Sequence, residues 1–133
     1  MQSSGTKNQD KLIEWVLRIA LFGEFLGHCI FALQANQRFV EILTAMTGLQ
    51  GEAAVQIVRI IGGIDIIVAV LALVFPFRLM LLWAAFLGFA TALARPIAGD
   101  PIWDFIGRWE NWGVPLALLF LRGIPKKAKE WWT

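Results

Sequence analysis

The chain has 133 residues, of which 58% are hydrophobic and 17% charged, with seven Trp, no Tyr and a formal net charge of +2. A soluble domain runs about 45–50% apolar and about 25% charged, and a chain this short has too much surface to hide the surplus. The balance therefore excludes an ordinary soluble domain and points to a bilayer as the solvent of the apolar faces. A small net charge without a broad basic surface or a readable motif leaves no nucleic-acid partner. The single cysteine, Cys29, excludes an intrachain disulfide and any CxxC or zinc spacing.

Along the chain, Met1 to Asp10 is a polar tail expected to fray. Residues 12–33 form the first long apolar stretch. It is too long for the roughly 7–15 residue core of a signal peptide, and it carries Glu24 and His28. It is read as transmembrane helix 1. Residues 37–47 alternate Phe39, Val40, Ile42, Leu43 and Met46 with Arg38, Glu41 and Thr44 at helical spacing. That segment is too short and too polar to span, so it is expected as an amphipathic helix lying at the interface. Residues 53–75 form transmembrane helix 2. Pro76 breaks the chain, and residues 77–94 form helix 3, an antiparallel neighbour of helix 2 across a tight turn. Arg95-Pro96 should end helix 3. Asp100 is expected to cap helix 4 with Pro101 at its first position, and helix 4 should run over 102–122.

The expected fold is all-α: a four-helix transmembrane bundle with a short amphipathic helix between helices 1 and 2, forming a single domain over 1–133. Lys7, Lys11, Arg78, Arg122, Lys126, Lys127 and Lys129 fall on one side of the membrane in this scheme, with Arg38 on the other. The positive-inside rule then places both termini in the cytoplasm.

Charged groups at hydrocarbon depth cost several kcal/mol unless paired or wetted, so each is a functional candidate. Those found are Glu24, His28, Arg59, Asp65, Arg95, Asp104, Arg108 and Glu110, joined by Asn111. In the expected topology they gather in the outer half of the bundle. Glu24 and His28 share a face of helix 1 at i, i+4. Asp104, Arg108 and Asn111 share a face of helix 4, beside an aromatic stripe of Trp109 and Trp112. Gly23, Gly27, Gly62 and Gly63 offer places for a helix or a flat ligand to approach closely.

Two readings of the cluster stand side by side. In one, Glu24, Asp65, Asp104 and Glu110 balance Arg59, Arg95 and Arg108 in a salt-bridge network that fixes the helices in register. In the other, the cluster lines an outer-half pocket for a quinone, lipid or similar amphiphile, with Glu24, His28 and Asp65 as acid/base groups and Trp109 and Trp112 as the wall. Pairing discriminates: an unpaired acid facing a cavity argues for chemistry. His28 is also a candidate axial ligand for haem or a chlorophyll magnesium. No metal site is expected, because Glu24, His28 and Asp65 would supply one nitrogen among oxygens. Phosphate loops and dinucleotide fingerprints are absent.

Several segments resemble a DoxX-like family of small membrane proteins. They are Gly23-Glu24-Phe25-Leu26-Gly27-His28, Arg59-Ile60-Ile61-Gly62-Gly63-Ile64-Asp65, Ala92-Leu93-Ala94-Arg95-Pro96 and Glu110-Asn111-Trp112-Gly113-Val114-Pro115. The resemblance implies a four-helix bundle of the bacterial inner membrane linked with redox systems, one branch serving thiosulfate:quinone oxidoreductase. The family has no settled catalytic motif to carry onto these positions, and a single cysteine in an apolar run argues against thiosulfate chemistry. The function expected from the sequence is a non-catalytic accessory subunit of a larger membrane complex, partnered by lipids and other membrane subunits. The alternative is a quinone- or lipid-binding protein acting through the polar cluster.

Overall fold

The computed structural model describes residues 4–133 and is helical throughout that range, with no strand among the described residues. The elements are α1 (Ser4–Leu33), α2 (Gln37–Thr47), α3 (Gly51–Val74), α4 (Arg78–Ile97), α5 (Ile102–Ile106) and α6 (Glu110–Arg122), followed by a 3₁₀ turn over Ala128–Trp132. Three of these helices, α1, α3 and α4, are long and apolar enough to cross a membrane. Their outward faces carry large apolar side chains such as Leu12, Val74 and Phe86. A soluble protein does not present such faces to water.

Local chemistry explains most boundaries. Asn36 caps α2 by accepting a 3.0 Å hydrogen bond from the Arg38 N–H. Gly48 ends it at φ 77°, a left-handed conformation open to glycine, with its N–H on the Thr44 carbonyl. Pro76 separates α3 from α4. The expected frayed tail is instead the first turns of α1 from Ser4 onward; residues 1–3 lie outside the described range.

Helix α3 starts two residues before the expected 53 and ends at 74, one short of expectation, whereas α4 runs past the expected 94 to Ile97. Arg95-Pro96 does not stop α4, which carries Pro96 in its last turn and closes on an Ala98 N–H bonded to Ala94. Proline there forfeits only its own N–H, one turn from a helix end. Asp100 does not cap the next helix. Its N-cap is Pro101, without a side-chain bond, and the Asp100 carboxylate turns to arginines instead.

The expected fourth helix over 102–122 is interrupted. Between Ile106 and Glu110 the backbone ladder shifts from i−4 to i−3 bonds, Arg108 to Phe105 at 3.1 Å and Trp109 to Ile106 at 3.3 Å. This tighter winding rotates everything after it relative to α5. The 13 residues of α6 span only about 20 Å by themselves.

α1 packs against α3 and α6, and α6 against α4, while α3 and α4 hardly touch. Two glycines account for the tightest approaches. A Cβ on Gly62 would stand 3.0 Å from the Cβ of Ala32, so α3 lies close on α1. A Cβ on Gly88 would stand 2.6 Å from the Asn111 carbonyl carbon, so α4 lies backbone to backbone on α6. Pro115, four residues on, lacks the N–H that would otherwise engage that Asn111 carbonyl. Gly23, Gly27 and Gly63 meet nothing within 4 Å, so they are not the packing glycines.

At the Pro76 end the helices close on a dry core of Leu21, Val68, Ala72, Leu81 and Leu118. Arginines satisfy the orphan carbonyls there. Arg18 donates to Ala72 at 3.0 Å and to Leu73 at the end of α3. Arg78 donates to Gly123 at 2.7 Å and to Arg122 at the end of α6. Glu14 joins the two sets, 3.8 Å from Arg18 and 2.9 Å from Arg122.

Gly88→Ala is expected to destabilise the protein by about 1–3 kcal/mol, the usual cost of overpacking. Gly23→Ala and Gly27→Ala should be close to neutral. Thermal denaturation of the three variants in the same detergent checks both.

Candidate functional site

Opposite the dry core, the space between α3 and α4 is a cavity of about 250 Å³. Its polar groups come from separate helices. α1 brings Glu24 and His28 one turn apart, α3 brings Asp65, α4 brings Arg95, and Arg108 and Asn111 arrive from the α5–α6 region. Apart from Thr91, the rest of the wall is apolar, including Phe25 of α1, Val58 and Ile61 of α3, and Leu87 and Ala90 of α4. The amphipathic helix α2 forms the roof with Phe39, Ile42, Leu43 and Met46.

The roof is pinned. Arg38 of α2 pairs with Asp100, which also takes Arg95 at 3.7 Å, and with Glu41 at 3.1 Å. The hydrogen bond to Glu41, and then Asp100, push the Arg38 pKa above its ordinary value, so Arg38 remains a cation. The Arg95 guanidinium also lies 5.9 Å from the centre of the Phe39 ring. The His28 ring stands 6.2 Å from the same ring, tilted by 53°.

The acids inside are arranged differently. Asp65 is only 4% exposed. Neither its Oδ1 nor the Oε1 of Glu24 has a hydrogen-bond partner among the described residues, and the same holds for the Nε of Arg108. Buried polar atoms are paired in the large majority of cases, so three such atoms around one cavity make it the candidate site; Trp112 Nε1 and Arg122 Nε are likewise unpartnered but do not line it.

The salt-bridge network expected from the sequence is therefore not what is built. Among the described residues Glu24, Asp65, Asp104 and Glu110 form no ion pair, and of the three arginines assigned to them only Arg95 does, with Asp100. The ion pairs that exist lie at the two ends of the bundle.

Six of the nine cluster residues reach the cavity: Glu24, His28, Asp65, Arg95, Arg108 and Asn111. Arg59 points away, exposed on the far flank of α3. Asp104 stays half-buried in α5, and Glu110 is exposed in the first turn of α6, where a helix N-terminus favours an acid.

Trp109 and Trp112 are not the pocket wall. They continue a chain of rings from Phe89 through Phe105, with centroids 5.7, 5.9 and 6.2 Å apart, that staples α4, α5 and α6 together. Each tryptophan follows Arg108 or Asn111 by one residue and so points about 100° away from the cavity face, while the i−3 winding after Ile106 separates Asp104 from that face. Roles missed by the sequence reading are the roof residues Ile42, Leu43 and Met46 and the wall residues Val58, Ile61 and Ala90. The apolar stripe of α2 was the available signal, although it was assigned to lipid.

About 150 Å³ holds a benzene, so this space takes on the order of ten heavy atoms. That suits a ring or head group and is far too small for the tetrapyrrole that axial ligation by His28 requires. Among the described residues no three His, Cys, Asp or Glu side chains come together to hold a metal ion. Compared with family models, curated proteins and solved structures, the chain matches none.

Asp100→Asn should loosen the roof. Loss of a charge-assisted hydrogen bond of about 1.5 kcal/mol predicts roughly ten-fold faster amide exchange across α2, with α1 and α3 unchanged. Hydrogen exchange with mass spectrometry reads this directly.

Proposed function

We propose that this is a membrane-embedded binding protein that takes the head of a quinone-like or lipid-like amphiphile in the cavity beneath α2. The observation that carries the reading is the pair of unpartnered carboxyl groups, Glu24 and Asp65, facing the cavity. Desolvating an acid without a partner costs more than removing it, so a ligand that completes its hydrogen bonds is the physical rationale for keeping it. In an oxidoreductase component the same groups, with His28, would accept and return protons at the head. Arg108, whose Nε is also free, would bind an acceptor atom.

Around this site we infer a four-crossing membrane bundle in which α5 and α6 together make the fourth, interrupted passage. The basic residues near the Pro76 end and both termini support a cytoplasmic placement for them by the positive-inside rule. A DoxX-like bundle of the bacterial inner membrane fits the segments named above. The accessory-subunit reading draws on a different residue. Arg59, exposed on an apolar helix without an ion pair among the described residues, suits a partner subunit or a lipid phosphate.

The test is purification in mild detergent followed by mass spectrometry of small molecules. The wild type should carry a stoichiometric amphiphile, and Glu24→Gln combined with Asp65→Asn should lower its occupancy about ten-fold or more, the equivalent of at least one charge-assisted hydrogen bond. Recovery of a large complex with no small molecule would instead favour the accessory role. Reporter fusions at each terminus should both report the cytoplasm.

A further inference from the structure

The roof and the walls of the cavity differ in how they are closed. The α2 roof is tied down by Arg38, Asp100 and Arg95, and by Phe39 beneath the Arg95 guanidinium. The gap between α3 and α4 has no such closure. The two helices hardly touch, because Gly62 holds α3 on α1 while Gly88 holds α4 on α6. Ile61 and Ala90, both half-buried, stand on opposite rims of that gap and also line the cavity. One turn along α3 from Ile61 and one turn along α4 from Ala90, Ile64 and Phe86 are exposed on the faces that would meet lipid. The route from the cavity to hydrocarbon is therefore short and apolar.

Capacity points the same way. A space of about 250 Å³ takes on the order of ten heavy atoms, so the chain of an amphiphile has to remain outside it. Charge bears on the head. The unpartnered atoms Glu24 Oε1 and Asp65 Oδ1 both accept hydrogen bonds when ionised, so they call for a donor.

We propose that the cavity draws its ligand sideways from the bilayer through the α3–α4 gap, and that the ligand is a single-chain amphiphile with a hydrogen-bond-donating head. The head, a hydroxyl or an amine, sits between Glu24 and Asp65. The hydrocarbon chain leaves between Ile61 and Ala90 and lies along the lipid-facing sides of α3 and α4. The α2 helix stays shut throughout, as a seal against water. This rests on the ligand-binding reading above and adds the route and the ligand class.

The experiment uses the full chain reconstituted in phosphatidylcholine vesicles. Two probes are added separately, a long-chain alkanol and a long-chain alkylamine, each with a diazirine in the chain, and the photolabelled sites are mapped by mass spectrometry. Labelling should concentrate on the facing flanks of α3 and α4 near Ile61 and Ala90, and the more strongly labelling probe identifies the head. Ala90→Trp, which fills the gap without touching the acids, should reduce labelling about ten-fold, the equivalent of about 1.4 kcal/mol. Ile61→Trp plugs the gap from the other rim and serves if Ala90→Trp lowers the thermal midpoint. Labelling that falls with Glu24→Gln and Asp65→Asn but survives both tryptophans, or that lands on α2, overturns the lateral route and leaves the site standing. Labelling indifferent to the acids overturns the binding reading itself. Absence of labelling by either probe overturns the ligand class.

Discussion

Two backbone approaches set the shape of this protein. Gly62 lets α3 settle against Ala32 on α1, and Gly88 lets α4 settle against the Asn111 backbone of α6. Each contact pulls one helix toward a different partner. The Pro76 turn ties the same two helices together at one end, where a shared apolar core closes them. A pair joined at one end and drawn apart further along must diverge, and the cavity occupies the divergence. The roof helix α2 covers only the end of the divergence far from Pro76, touching both α3 and α4.

Polar groups follow the same division. Where the bundle is closed, arginines and acids are used to finish helices: Arg18 and Arg78 cover the terminal carbonyls of α3 and α6, and Glu14 links Arg18 to Arg122. Where α2 meets α4, Arg38, Asp100 and Arg95 fasten the roof. Between these two ion-paired ends lie Glu24, Asp65 and Arg108 with atoms left unpartnered. The contrast is informative because a carboxyl group in an apolar surrounding is costly and an arginine was within the same cavity to relieve it.

Much of this architecture was legible in the sequence. The bounds of α2 were readable because Asn36 and Gly48 are strong local signals and the stripe from Phe39 to Met46 has helical period. The turn at Pro76 was readable because proline removes a donor. Glu24, His28 and Asp65 were recognisable as site residues because charge in an apolar run is rare enough to carry information. The failures have a common origin. Trp109 and Trp112 were assigned to the pocket as a stripe adjoining Arg108 and Asn111, yet they join the ring chain from Phe89 and Phe105 instead. Asp100 was assigned to a cap on local grounds, and an arginine 62 residues away claimed it. Helices 2 and 3 were taken as packed neighbours because the turn is short, although a short turn constrains only the ends it joins.

The sequence by itself determined the solvent and the elements. An apolar surplus this large, in runs of helical length, has to face something other than water, and the breakers between the runs place the helix ends. Those are local properties, carried by composition and by residues a few positions apart. The tertiary structure alone decided which charges are paired and where space remains. Both depend on the rotation and lateral separation of helices, which are set by contacts such as Gly88 with Asn111 between residues distant in the chain. A carboxyl group looks the same in the sequence whether an arginine reaches it or a cavity does.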